Sequence, residues 1–140
     1  MKNAFKKFLM AMLVCMCALS LVSCGSGIKG DDAKALINDF FEAIVAEDYD
    51  KADSLLHPDC TADLRAFLHE AEKEKGLDFQ AGIEIEKYTG FNSTVYSSNV
   101  GGSIYELSMR TIVGGKEAGF TFKIVKNETG YGIISFTLTA

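Results

Sequence analysis

The 140-residue sequence contains no phosphate-cradling P-loop, no GxGxxG turn, no nucleophile elbow, no zinc-ligand spacing, and no internal repeat or low-complexity segment. Those routes to nucleotide, acyl-transfer and zinc chemistry are excluded, so any catalysis would rest on scattered residues. Histidine is scarce, with only His57 and His69 present, and Pro58 is the single proline. A metal site wants a second close ligand pair, and a cysteine nucleophile wants a base that a further group orients. "HPDC", residues 57 to 60, therefore reads as the end of a helix rather than a Cys-His or metal site. No catalytic residue, metal ligand or cofactor is assigned. "EDYD", residues 47 to 50, together with Asp53, resembles a calcium loop in composition but lacks the mid-loop glycine and closing glutamate. These carboxylates read as helix caps. Positive charge is also in short supply, with 14 basic residues against 19 acidic. A nucleic-acid partner is excluded, because binding the phosphate backbone needs a cationic face.

What the sequence does have begins at its N-terminus. Lys2, Lys6 and Lys7 precede an apolar run from Phe8 to about Val22, broken only by Ser20. A cationic start, an apolar middle and small residues at the end outline an export signal. The run of about fifteen residues falls short of the roughly 20 that a spanning helix needs. Its end, Leu21-Val22-Ser23-Cys24, resembles the lipobox of bacterial lipoproteins. That resemblance implies recognition at Leu21 and Ser23, attachment of a diacylglyceryl group to the thiol of Cys24, and cleavage just before it. Residues 1–23 are then the signal, and Cys24 to Gly30 form a lipidated cysteine with a flexible tether. "GSGIKG", six residues treated as a Gly-rich coil, reaches roughly 13 Å. Gly25 is not the aspartate that commonly marks inner-membrane retention, which leaves an outer-membrane location open where the cell has one. The expected address is the extracytoplasmic face of a membrane, with lipid as a partner through Cys24.

The same reading distributes the four cysteines: Cys15 and Cys17 leave with the signal, Cys24 carries lipid, and Cys60 stays as a semi-buried apolar residue. No disulfide follows, although an extracytoplasmic compartment would permit one. The 117 residues from Cys24 onward suffice for one domain, residues 31–140. They carry eleven basic and nineteen acidic residues, a net −8, and 14 of those acids fall between Asp31 and Asp78 against five bases. Anionic headgroups would repel that half, so the helical half is expected to face away from the membrane.

From Asp31, apolar residues at Ala33, Leu36, Ile37, Phe40, Phe41, Ile44 and Val45 predict a long amphipathic helix with Asp31 and Asp32 at its positive end. A shorter helix over Lys51 to Leu56 is expected behind an Asp50 cap, and a third over Thr61 to Lys75 is expected to stop at Gly76. After Asp78 the apolar period changes to two. Candidate strands are Ala81 to Thr89, Thr94 to Val100, Ser103 to Val113, Ala118 to Lys126 and Tyr131 to Thr139, joined by Gly-rich turns. In the third of these, Tyr105, Leu107, Met109 and Val113 share an inward face, while Glu106 and Arg110 lie outward and read as members of ion pairs. The expectation is an α+β domain in which one long and two shorter helices pack in a curved antiparallel meander of four to five strands.

"ALINDFFEAIVAEDYDKADSLLHPD", residues 35 to 59, and "NETGYGIISFTL", residues 127 to 138, resemble the opening helices and closing strands of the nuclear transport factor two-like superfamily. This cystatin-like α+β cone includes the SnoaL-like proteins. Its members often carry a strand between the second and third helices, where Leu55 to Thr61 leaves room only for a short extended turn. The resemblance implies a cone whose pocket Tyr49, His57, Tyr96 and Tyr105 would line. Three functions fit: non-enzymatic binding of a small molecule, peptide or protein at the envelope; a small cone-pocket hydrolase or isomerase using Tyr105 and His57; or an assembly module that forms a homodimer through its sheet.

Overall fold

The computed structural model describes residues 27–139, so the expected signal, with Leu21, Ser23 and Cys24, lies outside the described residues. The first helix, α1 (Gly30–Val45), buries Ala33, Leu36, Ile37, Phe40, Phe41, Ala43 and Ile44, the face that the three-and-four spacing predicts. Asp31 and Asp32 sit in its first turn. The chain enters it earlier than expected: Ile28 is already buried in the core and Gly27 lies against Val95. Gly27 to Gly30, expected to belong to a flexible tether, are therefore part of the folded domain.

Helix α2 (Tyr49–Ser54) starts two residues before its predicted position. Its cap is Asp48, whose carboxylate accepts from the backbone N–H of Lys51 at 3.1 Å, while Asp50 falls inside the first turn. Helix α3 (Leu64–Lys75) starts later than predicted, because Asp63 caps it by accepting from Ala66 N–H at 3.0 Å; it ends at Gly76 as expected. A short 3-10 turn at Phe79–Ala81 leads into the sheet.

The sheet has four strands: β1 (Ile83–Ser97), β2 (Gly102–Val113), β3 (Lys116–Asn127) and β4 (Gly130–Thr139). All neighbours are antiparallel, and the order is β1-β2-β3-β4, an open meander with β1 and β4 at its edges. Two of the five expected strands are one. The stretch Gly90 to Ser93 looks like a turn in composition, yet Gly90, Phe91, Asn92 and Ser93 pair with Ser108, Leu107, Glu106 and Tyr105. Three register irregularities along β1 absorb the residues that would have broken a regular strand. Gly114 and Gly115, with φ of 54° and 84°, make the two-residue β2–β3 turn whose positive φ values suit a tight hairpin.

The sheet alternates as expected: Tyr105, Leu107, Met109, Thr111 and Val113 are buried, while Ile104, Glu106, Ser108, Arg110 and Ile112 are half-exposed. Thr111 tolerates burial because its hydroxyl donates to Ala118 O at 2.9 Å. Aromatic rings bind helices to sheet. Phe40 meets Phe122 edge-on at 5.8 Å, Phe41 meets Phe120 at 5.3 Å, and Phe67 of α3 meets Phe136 at 4.7 Å. Phe122, fully buried, touches rings on α1, β3 and β4. Phe122→Ala should lower unfolding stability by about 3 to 5 kcal/mol, measured by urea denaturation.

Candidate functional site

The residues expected to line a common pocket are dispersed. Tyr49 opens α2 with the Arg65 guanidinium 5.2 Å from its ring. Tyr105 points inward as predicted, but its ring stacks on Phe91 at 6.2 Å and its hydroxyl lies under Gly30 at the start of α1. Tyr96 projects from edge strand β1 and is 69% exposed. His57 is buried. Among the described residues, none of five surface grooves is lined by any of the four.

His57 differs most from its expected role as a helix-end residue. Leu56 forms a one-residue parallel bridge with Ile133, and His57 N–H donates to Ile133 O at 2.8 Å while Ile133 N–H donates back to Leu55 O at 3.1 Å. Gly132 permits this approach, because a Cβ there would lie 2.5 Å from His57 N. The ring Nδ1 accepts from Asp59 N–H at 3.1 Å, which puts the ring proton on Nε2, facing Asn127 Oδ1 at 2.9 Å. Asn127 Oδ1 also accepts from the backbone N–H groups of Thr129 and Gly130, and its Nδ2 donates to Val100 O at 2.8 Å. The chain after α2, the β1–β2 hairpin and the β3–β4 turn are thus tied into one knot. Both ring nitrogens are engaged by Asp59 and Asn127, so neither is directed at Cys60, whose own N–H donates to His57 O at 2.8 Å. The arrangement suits a structural clamp rather than an acid-base group.

Glu106 and Arg110 pair across strands and not with each other: Glu106 lies 3.6 Å from Lys123 Nζ, and Arg110 lies 3.6 Å from Glu86. Exposed pairs of this kind contribute about 0 to 1 kcal/mol.

The interior is filled by phenylalanine rings, and the recesses are open grooves beside α1. One of about 580 Å³ lies between α1 and β1, lined by Asn38, Phe41, Glu42, Val45, Ile83 and Glu84 among others. A second, of about 430 Å³, includes Ile28, Asp32, Leu36, Asp39, Lys126 and Tyr131. There the Tyr131 hydroxyl is pushed up to about 12, first by burial and then by the negative charge of Asp32. Tyr88 is also raised by burial, and Lys34 Nζ sits 4.7 Å from its ring centre.

The surface feature that sequence reasoning missed is the far half of β1. Phe91 is 75% exposed and Val95 is 62% exposed, beside Tyr96. For Val95 and Tyr96 the exposure follows from element lengths, while Phe91, opposite Leu107 and stacked on Tyr105, is exposed as a residue of an edge strand. The fifteen residues of β1 extend roughly 50 Å, whereas the sixteen of α1 cover about 24 Å. Because α1 starts over Tyr105, opposite Ser93, the remainder of β1 runs beyond the helix. The sequence held a signal for this: Tyr88 to Tyr105 is an uncharged run of 18 residues, the longest after Lys29. No protein-family model matches the chain, and neither the curated proteins nor the solved structures contain a match.

His57→Ala orphans Asp59 N–H and part of Asn127, and should cost about 2 to 3 kcal/mol in a urea titration. In an alkaline titration followed by tyrosinate absorbance, one tyrosine should ionise near 12, and Asp32→Asn should lower that midpoint. The sign is set by the raised folded value. Tyr131's contribution to stability is complete below the unfolded pKa of about 10 and is lost as pH rises through about 12.

Proposed function

We propose that the protein is a lipid-anchored, extracytoplasmic lipoprotein whose domain binds a peptide or protein partner at the membrane surface and carries out no reaction of its own. The observation that carries this reading is Leu21-Val22-Ser23-Cys24, closing a cationic and then apolar segment three residues before Gly27, where the described domain begins. The anchored face is extracytoplasmic. The domain is assigned to the nuclear transport factor two-like superfamily on three supports: the long α1 lying over an antiparallel meander, the short α2 ending before His57-Pro58, and Tyr131 following a polar Gly turn. Where superfamily members carry a further strand, this chain has only the Leu56–Ile133 bridge.

A filled interior and open grooves favour an extended partner over an enclosed small molecule, whose sites bury most of the ligand. The α1–β1 groove is apolar at Phe41, Val45, Ile83 and Ile85, and its charged side chains are Glu42 and Glu84. It suits a segment that presents an apolar side chain beside a cation. The hydrolase or isomerase reading lacks such support, since His57 is spent in backbone and Asn127 contacts and Tyr105 lies in the core.

Cys24→Ala should leave the precursor at full length and unlabelled by fatty acid in its host; normal maturation of that variant refutes the anchor. Native mass spectrometry of the full chain in detergent should find it bare or with a polypeptide. A small molecule retained in stoichiometric amount would refute the open-groove reading.

A further inference from the structure

We propose that the exposed aromatic edge of β1, formed by Phe91, Val95 and Tyr96, is a bilayer-contact surface that seats the domain against the lipid interface with a fixed orientation. The inference rests on the anchor at Cys24 proposed above. Three residue steps, through Gly25 and Ser26, lead from Cys24 to Gly27, and such a segment spans at most roughly 11 Å even when fully extended. Gly27 is not free to swing, since it lies against Val95, and the next residue, Ile28, is buried in the core. A lipid on Cys24 is therefore leashed to the very strand that carries the uncovered apolar side chains.

The chemistry of that strand suits a lipid interface. From Tyr88 to Tyr105 no residue is charged, in a chain where 24% of residues are. Lowering this surface into the headgroup region desolvates no ion, whereas most other stretches of the domain would have to strip Asp, Glu, Lys or Arg of water. Aromatic side chains with a polar end, such as tyrosine, favour the boundary between headgroups and acyl chains. The occupant is a membrane rather than a second copy of the chain. Edge-to-edge strand pairing needs a regular ladder, and β1 has three register irregularities, with Lys87 exposed beside one of them. Asp39, Glu42, Glu47 and Asp48 lie toward the other end of α1, away from Gly27, while at the Gly27 end Asp31 and Asp32 are offset by Lys29 and Lys34, so that end carries no net charge. This surface therefore does not oppose the domain's acidic end to anionic lipid.

The chain has no tryptophan, so a single indole reports its own position. The full chain, lipidated in its host and purified, is reconstituted into phosphatidylcholine vesicles with bromine on the acyl chains. Phe91→Trp should emit to the blue and lose most of its emission to bromine, while Glu117→Trp, beside the β2–β3 turn, should be unquenched. Fatty-acid labelling of the same samples separates the two claims. Label present with unquenched Phe91→Trp overturns membrane contact and leaves the anchor standing; absence of label removes both. A blue-shifted but unquenched Phe91→Trp that chemical cross-linking captures as a dimer overturns the lipid occupant in favour of a second copy. Adding Tyr96→Glu to Phe91→Trp should restore emission, and unchanged quenching in that double variant would count against the patch as the contact.

Discussion

The seating of Phe40 and Phe41 on Phe120 and Phe122 is the contact on which the remaining geometry depends. It fixes α1 over β3 by edge-on ring contacts at 5.8 and 5.3 Å. With α1 held there, α3 can cover only the β4 side, which it does through Phe67 on Phe136. The helices are used up before the far half of β1 is reached. An uncovered end of β1 is thus the consequence of where the first helix sits and how long it is, and the exposure of Val95 and Tyr96 follows from it. The same ring contacts fill the space that an enclosed pocket would require, so recesses appear as open grooves along α1.

The features legible in the sequence are those whose cause is local. The apolar periodicity of α1 and the alternation of β2 report which side each residue buries, and both faces appear as expected. Gly76 stops α3 because a left-handed residue is needed there, and glycine supplies it. The misreadings share a different cause. Gly90, Asn92 and Ser93 carry turn composition, but the ladder to β2 recruits them into one long strand, an override by partners twelve or more residues away. Asp48 caps α2 in place of Asp50, two residues earlier, directly after Glu47 turns the chain at a φ of 58°. Of the candidate site, the inward direction of Tyr105 was legible, while the role of His57 was not. Its fate is decided by Asn127, seventy positions away, and by Ile133, and no periodicity encodes such a pair.

The knot at His57 and the start of α1 bear on the same end of the molecule. Asn127 holds Val100 of the β1–β2 hairpin, and Ser103 Oγ donates to Val95 O at 2.7 Å, so the exposed end of β1 is braced from two sides. An aromatic surface that is to meet a partner benefits from such bracing, because a rigid surface loses less conformational entropy on contact than a mobile one.

In the anchored reading, retention at the membrane is already secured by acyl chains, since each buried methylene contributes about 0.8 kcal/mol. The side chains at Phe91, Val95 and Tyr96 would add at most about 1.5 to 3 kcal/mol each, little beside a diacylglyceryl group. Their effect would be on orientation rather than on affinity. A lipid on a leash leaves the domain free to tumble about one point, and a second contact on the braced strand beside Gly27 removes that freedom. With that edge lowered, the opposite end of α1 is raised. The groove that pairs Phe41 and Val45 with Ile83 and Ile85, flanked by Glu42 and Glu84, then opens away from the bilayer, where a cationic, partly apolar segment can reach it.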